Sequence, residues 1–578
     1  MSVCFIRILL LCSVAFALPA HALRVDIDAP DSLKLLLEQH LETSRAARLG
    51  EQPDEAEVRR LQAQSEETAR ELLATEGYFS PQVESTVQAD GDDWRVRYRI
   101  VPGVQTTVRT LNLEFAGAMT ERDNAAARQA RLERNFLLQP GTPFRQADWN
   151  AAKLAVLRPL LAGPYQAARL VSSAARVDPA AHAADLTLVL DSGPAFYYGA
   201  PVISRHARYP ASVAMNLNPT RPGQPFRQQD LLDYQSALES SGYFAQAVVR
   251  IDPDPALAAA VPIQVEVIER PEKLFSLGAG VSTDTGARVQ ATWLHRNVLD
   301  RGLQLKLDAR IETTQQLAAA ELAWPRNAKG YDYSVGLQLK REDLEGQETR
   351  SSLLGVKRHR TRGPIDTTLA LQYQTETQQV GQVIDARNQA LSLNYAWTYR
   401  TVGRAFYPRQ GYVLALQAGG ASEALLSDTS FLRLLGRHTQ YFRLGTKGRL
   451  VLRGELGSVL ADTRDGIPTD FLFRAGGDNS VRGYAYQSLG RTQGGGVASV
   501  RHLATASVEY NYFFTRDWGA AVFVDAGDAA DTLDDLSPVY GYGVGARYRS
   551  PIGPVNLDLA YGEATEDIRV HFSLGVTF

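Results

Sequence analysis

The sequence is poor in cysteine, in long apolar runs and in charge of one sign, and each shortage excludes something. Only two cysteines occur among the 578 residues, Cys4 and Cys12. Both fall within residues 1–22, which read as a secretory signal peptide. Arg7 supplies its positive region, Ile8 to Leu18 is almost wholly apolar, and Ala20-His21-Ala22 is a small-x-small cleavage site. The chain beyond the signal therefore offers no disulfide, no thiol nucleophile and no cysteine–metal centre. It also contains no apolar run long enough for a membrane-spanning helix, which needs about 20 residues. Lys and Arg number 61 against 64 Asp and Glu, a net charge of −3, which gives no electrostatic case for a nucleic-acid partner. The nine histidines form no H-E-x-x-H pair, Gly494 to Gly496 is not followed by Gly-Lys-Ser/Thr, and no G-x-S-x-G elbow occurs. No catalytic residues, no cofactor, no metal and no enzymatic activity are expected.

What is present is 46 Gly, 24 Tyr and 20 Phe, a mixture suited to a large β structure with many turns. With an export signal, two classes remain: a soluble periplasmic or secreted protein, and an outer-membrane β-barrel.

The front of the chain repeats. Gly77-Tyr78-Phe79, Gly163-Pro164-Tyr165 and Gly242-Tyr243-Phe244 lie 86 and 79 residues apart, and Gly141-Thr142-Pro143-Phe144-Arg145-Gln146 recurs 82 residues later as Gly223-Gln224-Pro225-Phe226-Arg227-Gln228. Repetition at this period means copies of one small domain. In the first copy Leu33, Leu36, Leu37 and Leu41, then Val58, Leu61, Ala69 and Leu72, follow helical spacing. Gly77 suits a helix C-terminus. Trp94, Val96, Tyr98 and Ile100 alternate with arginines as a half-buried strand. Each unit reads as β-α-α-β-β, over residues 23–103, 104–194 and 195–272. Element order, unit size and the Gly-Tyr-Phe turn resemble the POTRA (polypeptide-transport-associated) domain. That resemblance implies a sheet edge able to bind an extended peptide, against the plainer reading of a spacer.

From Lys273 to Phe578 alternation replaces helical spacing. Leu303, Leu305, Leu307 and Ile311, then Tyr331, Tyr333, Val335, Leu337 and Leu339, then Leu391, Leu393, Tyr395, Trp397 and Tyr399 alternate with polar residues. Aromatics at one end of the apolar face suit a lipid interface, and the polar face suits a wet lumen; a soluble all-β domain is the competing reading. The expected fold is thus α+β repeats followed by a transmembrane antiparallel β-barrel of about 16 strands. The final alternating strand includes Phe572, Gly575 and a terminal Phe578, and resembles the β-signal of outer-membrane proteins.

Two motifs suggest a mechanism. Val481-Arg482-Gly483-Tyr484 sits in a polar segment too long for a hairpin turn, expected to fold into the lumen. An arginine there needs an acceptor. In Phe523-Val524-Asp525-Ala526-Gly527, Phe523 and Asp525 share a strand face, so Asp525 is available for a bidentate pair. Gly483 allows close backbone approach and Tyr484 packs beside it. The motifs together resemble the outer-membrane assembly factor and two-partner secretion superfamily, in which a V/I-R-G-F/Y loop tip meets an F-x-D-x-G strand. Three units ahead of one barrel are most similar to its TamA branch, the outer-membrane subunits of the translocation and assembly module; the BamA branch usually carries five.

The resemblance implies a role in inserting or secreting outer-membrane proteins such as autotransporters, with a TamB-like inner-membrane-anchored partner, and in phospholipid movement. It places the N-terminal units in the periplasm of a Gram-negative bacterium. It also implies a weak seam between the first and last strands, where Gly278 and Gly280 remove packing from the first. A two-partner-secretion pore and a passive porin with a periplasmic scaffold stand as alternatives.

Overall fold

In a computed structural model, the described residues are 23–90, 93–121, 123–381, 383–402, 407–551 and 553–574. Residues 1–22, read from the sequence as a signal peptide, and Gly575 and Phe578 lie outside them. The chain forms two compact units. One comprises the residues up to Val202 with Thr220–Asp233 and Arg250–Gln264; the other comprises Ile203–Pro219, Tyr234–Val249 and the chain from Val265 onward.

The first repeat is β1 (Leu23–Asp28), α1 (Asp31–His40), α2 (Glu42–Leu49), α3 (Glu55–Thr75), β2 (Gln82–Asp90) and β3 (Asp93–Val101), with sheet order β1-β3-β2. It carries three helices rather than two. Leu41 is extended, with φ −65° and ψ 138°, and breaks the first stripe into α1 and α2. Leu33, Leu37, Leu41, Val58, Leu61, Ala69 and Leu73 bury against Val96, Tyr98 and Ile100 of β3.

The second repeat is β4 (Thr107–Ala116), α4 (Ala125–Arg134), α5 (Gln146–Ala162), β5 (Arg169–Asp178) and β6 (Ala183–Asp191), in order β4-β6-β5. The third is β7 (Tyr198–Ser204), α6 (Ala211–Met215), α7 (Gln228–Ser240), β8 (Phe244–Arg250) and β9 (Val261–Glu269), in order β7-β9-β8.

The sharper sequence echo has a structural cause. Pro143 bridges Thr107, and Pro225 bridges Tyr197, each antiparallel at the entrance to its unit's first strand. Gly141 donates its N–H to the Val108 carbonyl, and Gly223 donates to that of Tyr198. Both glycines have positive φ, 89° and 79°, where a Cβ is disfavoured. Phe144 and Phe226 then drop into their cores.

The second half is one antiparallel sheet of sixteen strands. It begins with β10 (Lys273–Ser282), β11 (Gly286–Val298), β12 (Leu303–Glu312), β13 (Gln315–Trp324), β14 (Asp332–Leu344) and β15 (Gln347–Arg362). It continues with β16 (Ile365–Val380), β17 (Val383–Arg400), β18 (Gly411–Ala421), β19 (Phe431–Leu444) and β20 (Gly448–Leu460). After a long loop, 461–501, which holds the short ribbon β21 (Arg491–Gln493) and β22 (Gly496–Ala498), come β23 (His502–Phe513), β24 (Trp518–Ala530), β25 (Val539–Ser550), β26 (Gly553–Gly562) and β27 (Asp567–Leu574).

Apolar side chains such as Leu337, Leu339, Leu354, Val356, Leu393, Val522, Val524, Leu557 and Leu559 point outward and are exposed. In water each would forfeit about 1.5–3 kcal/mol of burial, so this face requires hydrocarbon. Trp293, Trp324, Tyr333, Trp397, Tyr399, Trp518 and Tyr548 collect at the rim where β10 begins, with Trp397 and Tyr399 stacked at 6.1 Å. The inward face is polar: Asp308 bonds Thr292 at 2.6 Å and Glu321 bonds Ser334 at 2.7 Å. A strand pattern of this kind closes as a barrel, polar inside and apolar outside.

Candidate functional site: an arginine finger in the lumen

The long loop enters the lumen and is bonded to strands on more than one wall. Against β14 and β16, Thr469 donates from its backbone N (3.1 Å) and its hydroxyl (2.6 Å) to the Glu376 carboxylate, and Asp470 pairs with Lys340 at 2.5 Å. Asp470 also accepts from Gln374 at 2.9 Å. On the other wall the loop delivers Arg482.

Arg482 is 2% exposed and Asp525, on β24, is 0% exposed. Three bonds join them: backbone N to Oδ2 at 3.1 Å, Nε to Oδ2 at 2.7 Å and Nη2 to Oδ1 at 2.9 Å. The remaining donor, Nη1, reaches Glu509 of β23 at 2.7 Å and Asp558 of β26 at 3.0 Å. The guanidinium carbon lies 3.4 Å from the ring centroid of Phe523, a cation–π contact in a desolvated place. Burial works against the Arg482 charge, but the bonds from Asp525 and the charges of Glu509 and Asp558 hold its pKa above the usual arginine value.

A second arginine balances the surplus of carboxylates. Arg547 of β25 pairs with Glu509 at 3.0 Å and with both oxygens of Asp558. Sequence reasoning found Arg482, Phe523 and Asp525 but missed Arg547, Glu509 and Asp558, each on an alternating strand where one charge looks like ordinary lumen polarity.

It also missed a glycine stripe. Gly541, Gly543 and Gly545 line the inner face of β25. An ideal Cβ would lie 2.6 Å from the Phe523 ring at Gly543 and 1.7 Å from the Asp558 carboxylate at Gly545. Glycine alternating with Tyr and Val ahead of Arg547 was the readable signal: a strand that bares its backbone lets something approach closely.

The neighbouring residues are placed as follows. Gly483 has φ 96°, and a Cβ there would be 2.8 Å from the Gly562 nitrogen. The Tyr484 hydroxyl donates to the Tyr540 carbonyl at 3.1 Å and accepts from Ala564 N at 3.0 Å. Gly527 shares the inner face of β24, where a Cβ would meet the Ala504 carbonyl at 2.8 Å. The structure thus brings Arg482, Gly483, Tyr484, Phe523 and Asp525 into one cluster, with Gly527 further along β24.

The seam residues lie elsewhere. Among the described residues the sheet runs from β10 to β27 with no ladder between those two strands. Gly278 and Gly280 sit in β10 with no crowding around a Cβ, the closest atom being Arg288 Nη2, 3.5 Å from Gly280. Phe572 donates its backbone N–H to Thr283 Oγ1 at 3.0 Å. Near this seam Asp284, Asp478 and His571 bring ligand-type atoms within 4.8 Å of one another. Both ring nitrogens of His571 are already engaged, one with Asp478 and one with Gly483.

The Omp85 superfamily domain matches residues 297–578, which contain every member of the arginine cluster, and the POTRA domain described as TamA domain 1 matches residues 30–102. Residues 297–578 are thus similar to an Omp85 superfamily domain. Among proteins similar to this chain, the "Outer membrane protein assembly factor BamA" of Nitratidesulfovibrio vulgaris is 22% identical over 402 residues, covering 66% of this chain and 50% of that protein. "Outer envelope protein 80, chloroplastic" of Arabidopsis thaliana is 31% identical over 115 residues, covering 18% of this chain and 14% of that protein. The chain thus spans half or less of the length of these relatives. The crystal structure of BamA from Haemophilus ducreyi lacking POTRA domains 1-3 superposes with a TM-score of 0.65 at 16% identity, covering 81% of this chain and 99% of that one. The fold is therefore an N-terminal POTRA domain followed by a nearly closed 16-stranded barrel.

Proposed function

We propose that this protein, with its Omp85-type domain over residues 297–578, is the outer-membrane subunit of a translocation and assembly module. It sits in the outer membrane of a Gram-negative bacterium with its N-terminal domains in the periplasm. It helps insert or secrete outer-membrane proteins such as autotransporters, and works with a TamB-like partner anchored in the inner membrane. It performs no covalent chemistry. Outer-membrane lipids are the medium in which a client strand meets the seam, and phospholipid movement is a second outcome of the same device.

The observation that carries this reading is the Arg482 cluster beside a sheet in which, among the described residues, no ladder joins β10 to β27. A passive pore gains nothing from threading a 41-residue loop (461–501) through its lumen and burying an arginine among three carboxylates. Such a cluster costs desolvation, which its bonds must offset. A barrel whose edges are to part needs rigid support for the strands beside the seam, and Arg482 ties β23, β24 and β26 together. Client strands would then add to the free edge of β10 by backbone pairing.

The test is depletion of the protein followed by a quantitative census of outer-membrane proteins, with complementation by wild type and by Arg482→Ala. Loss of autotransporters or other β-barrel proteins, restored by wild type and not by the variant, supports the proposal. An unchanged census overturns it.

A further inference from the structure

Outside the arginine cluster, one string of side chains joins three parts of the barrel that the strand ladder leaves apart. Asp284 lies in the turn between β10 and β11, Asp478 in the long loop, and His571 on the last strand, β27. Asp478 donates its backbone N–H to Asp284 Oδ2 at 3.2 Å. His571 Nδ1 lies 2.6 Å from Asp478 Oδ1. Gly483, next to the arginine, donates its N–H to His571 Nε2 at 3.0 Å.

The last bond fixes the tautomer. Nε2 must offer its lone pair to Gly483, so the ring proton is on Nδ1, where it is given to the Asp478 carboxylate. His571 is 5% exposed, so this relay is not maintained by solvent. The space is closed on the loop side as well: Gly477 has φ 95°, and a Cβ there would lie 3.0 Å from Asp284 Oδ2.

We infer that the seam is latched through the loop. Asp478 is the bolt, Asp284 of the first hairpin is one catch and His571 of the last strand is the other. The latch is a property of the barrel and holds whatever the cargo is. It makes Asp284, Asp478 and His571 positioning residues. The direct Thr283–Phe572 bond joins the first hairpin to the last strand at one point, and the loop adds a second link that exists only while it occupies the lumen. Because Gly483 hangs from the same imidazole, seam closure and the seating of Arg482 are one event rather than two.

The experiment measures the seam directly. Spin labels are placed on Leu277→Cys of β10 and Val570→Cys of β27, both exposed on the apolar face, with Cys4 and Cys12 changed to serine. Distance distributions are recorded by double electron–electron resonance on the full chain in detergent. His571→Phe keeps the ring and removes both nitrogens; Asp478→Ala removes the carboxylate that holds His571, from a loop position outside the strands, and leaves the backbone bond to Asp284 in place; Asp478→Asn retains an acceptor oxygen.

The expected result is a roughly fivefold rise in the long-distance fraction for His571→Phe and for Asp478→Ala, the shift that losing one buried hydrogen bond produces. Asp478→Asn is expected to stay near wild type. Wild-type distances in Asp478→Ala, with the barrel shown to be folded by its heat-dependent electrophoretic mobility, would overturn the latch. So would a seam that opens in His571→Phe but not in Asp478→Ala, since the link would then bypass the loop. Loss of client assembly with unchanged distances would leave the transport proposal standing while removing the latch.

Discussion

The backbone carbonyl of Arg482 occupies the space that a side chain at Gly541 would need: an ideal Cβ on Gly541 would lie 1.8 Å from that oxygen. The arginine reaches its three carboxylates only because β25 presents bare backbone to the loop. Gly541→Ala should therefore displace the finger although it touches none of its charges. Overpacking of this kind costs about 1–3 kcal/mol. Because the strand ladder is unaffected, the cost should appear as release of the loop. Limited proteolysis within 461–501 should accelerate several-fold while the barrel keeps its heat-dependent mobility. Unchanged proteolysis would mean that the loop can seat without its glycine groove.

The cluster is not a simple pair, which changes what a charge swap can do. Read from sequence, Arg482→Asp combined with Asp525→Arg looks like an exchange of partners. In the structure Arg482 also meets Glu509 and Asp558, so an aspartate at 482 would face two more carboxylates. The double variant should be no better than Arg482→Asp alone. Arg482→Ala leaves the buried Asp525 and Asp558 and the half-buried Glu509, of which Arg547 pairs only with Glu509 and Asp558, and removing one partner of a buried pair costs about 3–5 kcal/mol. Asp558→Asn in the Arg482→Ala background should recover part of that loss by removing a stranded charge. Thermal unfolding of the four variants checks the ordering, and full rescue by the swap would contradict the shared network.

How much of this was legible in the sequence follows from periodicity. Strand alternation and the repeat echoes are local signals, so the barrel, its sixteen strands and the repeated small units could be read from residue order. Phe523 and Asp525 two apart, with Arg482 in a long polar loop, gave half the site. Glu509, Asp558 and Arg547 converge from three further strands through ladder register, which residue order does not encode. Leu41 shows the limit at short range. Its spacing continues the leucine stripe, but an extended backbone there starts a new helix and still buries the side chain.

The pH response should centre on Asp284, in the turn beyond β10. Burial and, after it, the facing Asp478 carboxylate push its pKa up to about 6, while His571 pulls the other way. A carboxyl whose folded pKa is raised favours the protonated form. Its stabilising contribution is complete below its unfolded value near 4 and is lost as pH rises through about 6. The seam should accordingly loosen between about pH 4 and 6, as Asp284 and Asp478 come to repel. Spin-label distances should lengthen over that window in wild type and stay flat in Asp284→Asn, which keeps an acceptor and cannot ionise. A pH response that survives in Asp284→Asn would assign it elsewhere.

The loop is held at two walls, and that makes a prediction about conductance. Arg482 fixes it to β23, β24 and β26, whereas Thr469 and Asp470 fix it to Glu376 of β16 and Lys340 of β14. Releasing one end leaves the other anchored, so the loop still obstructs the lumen. Arg482→Ala alone and Thr469→Ala/Asp470→Ala alone should each raise single-channel conductance in planar bilayers only slightly. The combined variant should raise it beyond the sum of the two, because each set of bonds limits the excursion of the loop while the other is intact, although the Asp478 bonds to Asp284 and His571 still tether it. Additive increments would show instead that the anchors act on separate parts of the loop and that neither end alone can hold it in the lumen.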